Sequence, residues 1–237
     1  MRCKTIVTLV ALGVLLLVGS NLRAGAVGPT AYLSFNDSPF KNLNLQNFQL
    51  EDFEDHLLNV PGVSGSPGGV ASVVFGPSIH DSVDADDGAI DGSGLNGDDW
   101  FASPALVTFT FDKQVLGGLP THAGIVWTDG TDPIQLEAFD GNGNSLGVTG
   151  PVNSADSSFN GETAEDRFLG WTDDSGIDSI RITSGPGGIE LDHLQFGGVA
   201  GGGGGGGAIP LPPATWAALV TLGAWGAWRR FGCLVRQ

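Results

Sequence analysis

Asp81-Ser82-Val83-Asp84-Ala85-Asp86-Asp87-Gly88-Ala89-Ile90-Asp91-Gly92 packs five aspartates and two glycines into one short stretch, with Asp98-Asp99 close behind. A hard cation takes about six to eight oxygens from carboxylates and carbonyls on a loop that glycine lets bend sharply. Asp81, Asp84, Asp86 and Asp91 are the ligands this loop offers to calcium. The spacing is not that of an EF-hand: no glutamate closes the loop and no flanking helix is evident. The competing reading is a solvated acidic loop on an acidic protein.

Asp192 makes a separate argument. In an extended strand it shares a face with Leu194 and Phe196. If those two face the core, the carboxylate points inward and must meet a metal, a base or several backbone N–H groups. The alternative is a bulge at Asp192-His193 that turns the carboxylate out, because Ile189 and Leu191 lie on the opposite phase.

Trp100, Trp127 and Trp171 are the tryptophans outside the C-terminal tail. Trp127 and Trp171 sit in strand-like runs and read as core. Trp100, beside Asp98-Asp99 in a loop, is the candidate platform for the apolar face of a sugar. Wedging that loop onto the domain is its other reading. Catalysis has little support. His56, His80, His122 and His193 are scattered without metal-ligand spacing, which argues against a zinc centre. No Gly-x-Ser-x-Gly elbow and no phosphate-cradling loop is present. Carboxylates abound, as in any acidic β-protein, so residue type alone does not decide on a glycosidase pair.

The elements that would position these groups lie between two segments of another kind. Arg2 and Lys4 precede an apolar stretch over 6–18, and Ala24-Gly25-Ala26 supplies small residues, so residues 1–26 read as a secretory signal peptide. At the other end Ile209-Pro210-Leu211-Pro212-Pro213 leads into an apolar run over 214–228 and then Arg229-Arg230. The prolines favour an extended grip for a processing enzyme, and the arginines hold the end on the cytoplasmic side. At ~1.5 Å per residue the run reaches ~22 Å against a hydrocarbon core of ~30 Å, so the transmembrane helix, about 211–228, takes the proline end into the interface.

Six of the ten basic residues lie in these ends, and all 26 acidic residues lie between them. The middle region, with Lys41, Lys113, Arg167 and Arg181, carries 4 − 26 = −22, against −16 for the whole chain. Such a field attracts cations and basic partners and argues against nucleic-acid binding. Cys3 and Cys233 are both in the end segments, so the exported region has no disulfide. Gly201 to Gly207 is unbroken glycine, and residues 198–208 read as a flexible linker after one domain over 27–197.

The tail resembles the bacterial PEP-CTERM sorting signals, with Leu211 where the family's glutamate usually stands. The resemblance implies an exosortase-type processing enzyme as partner, a membrane-anchored precursor, and a final place at the cell surface or in an extracellular matrix, often with exopolysaccharide.

Within 27–197 the signals have period two. Val107-Thr108-Phe109-Thr110-Phe111, Ile134-Gln135-Leu136-Glu137-Ala138 and Ile180-Arg181-Ile182 alternate, and Asp140-Gly141-Asn142-Gly143 reads as a turn into 145–148. Further strands are expected over 31–35, 48–53, 70–75, 123–128, 167–172 and 189–196. Many short strands with Gly/Asp/Asn turns predict an all-β fold, an antiparallel β-sandwich of jelly-roll type. The order of segments over 100–197 resembles the jelly-roll domains of PEP-CTERM proteins, which are similar to carbohydrate-binding modules. In such modules an early acidic residue and an aspartate of the last strand hold calcium, and Glu51 or Glu54 with Asp192 stand in the corresponding places. The expected function is a non-enzymatic surface or matrix protein. The alternatives are a glycan-binding module and a polysaccharide hydrolase.

Overall fold

The computed structural model describes residues 24–72 and 80–200. Residues 1–23 of the expected signal peptide (1–26), residues 73–75 of one expected strand, the seven-glycine run and the whole of the expected sorting tail lie outside the described residues. Pro210, Leu211, Pro212, Pro213, Arg229 and Arg230 are therefore not placed.

The first strands are β1 (Ala24–Ala31), β2 (Gln49–Glu51), β3 (Val63–Ser66), β4 (Gly69–Val70) and β5 (Trp100–Ala102). There follow β6 (Leu106–Phe111), β7 (His122–Gly130), β8 (Ile134–Phe139) and β9 (Ser145–Val152). The last three are β10 (Arg167–Asp173), β11 (Ser179–Thr183) and β12 (Ile189–Gly197). They form two antiparallel sheets. One runs β1-β10-β7-β12-β5-β4, with β2 also on β12; the other runs β3-β6-β11-β8-β9. The helix between β6 and β7, α1 (Lys113–Leu116), is a single turn capped by Asp112 and stopped by Gly117 at φ 77°. Among the described residues no helix is long and apolar enough to cross a membrane.

The two sheets share one core. Ile125, Trp127, Leu169, Trp171, Leu191 and Phe196 from the larger sheet meet Phe109, Phe111, Leu136, Ile180 and Ile182 from the smaller. Alternation puts them there. In β8 Ile134, Leu136 and Ala138 are buried while Gln135 and Glu137 face outward, where Glu137 pairs with Arg181 across the strands. A one-residue slip would exchange the two sets, so the pattern fixes the register.

The larger sheet differs because both its faces are covered. In β7 every residue after His122 is buried. On its outer face Tyr32, Phe40, Val83, Val126 and Phe168 form a second apolar cluster, roofed by the segment after β1 and by the aspartate loop.

Several expectations change. β1 starts at Ala24, so Ala24, Gly25 and Ala26, placed above at the leader's end, pair with Asp173, Thr172 and Trp171. The chain leaves β1 at Ala31 and turns through a 3-10 turn over Phe35–Asp37, whose cap Ser34 accepts from Asn36 N at 3.2 Å. β3 and β5 are additional strands. β3 is Val-Ser-Gly-Ser, which carries almost no apolar pattern to read.

Candidate functional site

Asp192 is where the sheet and the aspartate loop meet. Ile189, Leu191, Leu194 and Phe196 all lie in the shared core, although the first two differ in strand parity from the last two. The register shift between Asp192 and Gln195, with His193 at φ 44°, absorbs the difference. Asp192 therefore does not share the face of Leu194 and Phe196. It stands opposite Val126, on the outer face under the loop, and is 0 % exposed. The bulge exists, but it turns the carboxylate beneath the loop and not into solvent. Its Oδ2 accepts from Val83 N at 2.9 Å and its Oδ1 from His193 N at 2.5 Å.

A closed proton network surrounds it. Gln195 Nε2 donates to Tyr32 Oη at 2.9 Å, so the tyrosine proton goes to His193 Nδ1, 2.9 Å away. His193 Nε2 is then the protonated nitrogen and donates to Asp86 Oδ1 at 3.1 Å. Asp86, Asp192 and His193 hold ligand atoms within 4.8 Å of one another. Burial first, then the charge of Asp86, pushes Asp192 well above the usual carboxylate range. Close buried acids disfavour each other's ionised form, and Asp192 carries that penalty here. Both Asp192 oxygens have N–H donors, and Asp86 Oδ2 is left as the buried oxygen of the set that accepts none.

The ligands implied by the family resemblance do not converge on Asp192. Glu51 is buried, and its oxygens accept from Phe53 N, Asn59 N and Val60 N at 3.2, 2.9 and 3.1 Å. It ties the 53–60 loop to the sheet. Glu54 Oε1 accepts from Asp98 N at 2.6 Å, and burial raises its pKa to about 7. Asp84 is likewise a loop clamp: Asp91 N, Gly92 N and Ser93 N donate to its Oδ1, and Gly92 N also reaches Oδ2, at 3.0 to 3.3 Å. Asp91 itself is exposed. Trp100 is not a platform either. It is 6 % exposed, gives its Nε1–H to Pro67 O at 3.1 Å and packs between Phe53 and Phe109. The indole sits on the core side of β5, so Asp98-Asp99 belongs to the strand's approach and not to a free loop. Trp127 and Trp171 are core, as their strand runs imply.

Asp81 leads elsewhere. One oxygen each from Asp81, Asp129 and Glu165 lie within 4.8 Å of one another, and the three residues are 1 %, 5 % and 4 % exposed. Neither oxygen of Asp81 accepts a hydrogen bond, and the same holds for the fully buried Asp166. Gly94 makes this approach possible, since a Cβ there would lie 2.0 Å from Ser82 O and 2.2 Å from Asp81 Oδ1. Burial raises Asp81 to about 9, Glu165 to about 7 and Asp129 to about 6, and pushes Asp166 well above the carboxylate range. The charge of Arg167 offsets only part of the burial at Asp166, and its Nη1 donates to the carbonyls of Ala164 and Asp166 and not to the carboxylates. Two carboxylates about 4 Å apart repel by about 4 kcal/mol at an effective dielectric of about 20. A hard cation among these oxygens would remove that repulsion and supply the missing partners of Asp81.

The chain matches no family model, no curated protein and no solved structure. The geometry alone carries the reading. Asp129, Glu165 and Asp166 escaped the sequence reading because they lie on β7 and before β10, far along the chain from the aspartate loop. The one hint was Glu165-Asp166 just ahead of Arg167 and the apolar Phe168-Leu169 of β10.

Proposed function

We propose that this chain is an exported, non-enzymatic surface or matrix protein whose jelly-roll sandwich is completed by calcium in the basin of Asp81, Asp129 and Glu165. The observation that carries the calcium is Asp81, buried with both carboxylate oxygens unmatched beside two further buried acids. Retaining such a group ionised without a counter-charge is too costly for a domain of ordinary stability. The export reading rests on the leader and on the order of prolines, apolar run and arginines in the tail, which fit an exosortase-type processing enzyme. The glycan reading loses its aromatic platform with Trp100 buried. A hydrolase of glycans needs two carboxylates about 5–10 Å apart across an open cleft, whereas the basin's oxygens are closer and covered. The test is a melt of the full chain in detergent at pH 8, in EDTA and in millimolar calcium. Calcium raises Tm; equal melting in both would sink the calcium.

A further inference from the structure

The histidines lack metal-ligand spacing in the sequence, yet the fold carries His193 into the set already described and His80 into another. His80, Asp99 and Glu190 each present a ligand atom within 4.8 Å of the other two. His80 is 7 % exposed and Asp99 0 %. His80 Nδ1 lies 3.6 Å from Asp99 Oδ1, too far for a hydrogen bond, and neither oxygen of Asp99 accepts one. Glu190 Oε2 accepts from Asp81 N at 2.9 Å, which fixes this carboxylate on the wall between the new set and the calcium basin. Burial, followed by the charge of Glu190, holds Asp99 well above the usual carboxylate range.

A fully buried carboxylate without donors stays ionised only beside a counter-charge at contact distance. The chemistry of the set separates it from its neighbour. The basin offers carboxylates alone, which suit calcium. This set offers one imidazole nitrogen and two carboxylates, which suit a borderline dication with N/O ligation. The gap of 3.6 Å between nitrogen and oxygen also fits two ligands on one ion, since Zn–N and Zn–O bonds of about 2.0–2.2 Å place their donor atoms about 3.3–3.6 Å apart in a tetrahedron.

We propose that His80, Asp99 and Glu190 form a second divalent-cation site, separate from the calcium basin and selective for zinc. It shares no donor residue with the basin and differs from it by the imidazole, although the charges of the two sets act on each other.

The experiment uses the full chain in detergent, stripped of metal and held in millimolar calcium. Zinc is titrated against a chromophoric chelator, and cobalt is added separately as an optical probe of the same donors. One equivalent of zinc should stay bound against the excess of calcium, and cobalt should give visible d–d bands. His80→Gln and Asp99→Asn should each weaken zinc by at least roughly 100-fold, the upper end of what an outer-shell change costs, and should remove the cobalt bands. His56→Gln should change neither, since that exposed ring serves Asp98. Asp99→Asn exchanges a buried charge for a neutral isostere, so it folds even where His80→Gln does not. Zinc that calcium displaces, or wild-type zinc affinity in Asp99→Asn, overturns the proposal. Retained zinc with no calcium effect on melting upholds it and removes the calcium reading alone.

Discussion

Glu190 stands directly across the β7–β12 ladder from Asp129, carboxylate opposite carboxylate, next to the register shift that separates Glu190 from Leu191. Like charges in facing positions destabilise a strand pair. Here both members are held at the centre of a sheet covered on both faces. That arrangement makes the acid content of this domain a matter of folding as well as of solubility.

The first consequence is a pH dependence with a defined sign. Burial raises Asp81 to about 9, Glu190 to about 8, Glu165 to about 7 and Asp129 to about 6. For an acid whose folded pKa lies above its unfolded value of about 4, the protonated fold is the favoured one. Its contribution is complete below about pH 4 and is lost as pH rises through the folded pKa. Metal-free protein should therefore melt at progressively lower temperature from pH 5 to pH 9. Calcium reverses this, because it binds the ionised forms and releases their protons. Its effect on Tm should be small at pH 5 and large at pH 9, with ~2.7 kcal/mol expected at ~100-fold excess over Kd. A metal-free Tm that is flat across this range would contradict the burial of these acids.

A pair of isosteric variants separates the basin from Asp192. Asp81→Asn removes the unmatched charge, so the metal-free protein at pH 8 should melt higher than wild type while the calcium gain disappears. Asp192→Asn should keep the calcium gain, because its carboxylate serves Val83 N and His193 N at 2.9 and 2.5 Å. Differential scanning fluorimetry on both, with and without calcium, reads the difference. Loss of the gain in Asp192→Asn with retention in Asp81→Asn would move the ion to the place the family resemblance implies.

The alternation of β6, β8 and β11 made the smaller sheet legible in the sequence, since one wet face leaves a period of two. The larger sheet was harder to read. β7 is buried on both faces, so its pattern gives position but not facing. Asp192 was misplaced for a related reason: strand parity counted from Leu194 holds only without a bulge, and the two phases of β12 were the visible trace of one. The aspartate loop announced cation chemistry, but sequence treats its acids alike. The fold sends Asp81 to one set and Asp86 to another, turns Asp84 onto loop amides and leaves Asp91 in solvent. Asp99, Asp129, Glu165 and Glu190 join through strand pairing and loop packing, which no local spacing encodes.

Asp84 yields a prediction independent of any ion. Its buried carboxylate gathers the amides of Asp91, Gly92 and Ser93. Asp84→Ala leaves those donors without their acceptor and should cost about 2–4 kcal/mol, the range for losing several charge-assisted hydrogen bonds at a covered site. The loss should be the same in EDTA and in calcium. A calcium-dependent loss in urea titrations would instead make Asp84 a ligand.

The tail gives the last prediction. A plain tail anchor needs an apolar helix and a basic end, and has no use for Pro210 and Pro212. A processing signal needs the extended, accessible segment that those prolines and the preceding glycines provide. The mature protein should therefore lack its C-terminal segment. Changing Pro210 and Pro212 together to alanine should leave the chain in the membrane fraction with the segment attached. Intact mass and a C-terminal epitope, followed in both versions in a host that makes the processing enzyme, read the outcome. An epitope retained on mature wild-type protein would defeat the sorting reading and point to Leu211, in the glutamate's place, as the residue that blocks cleavage.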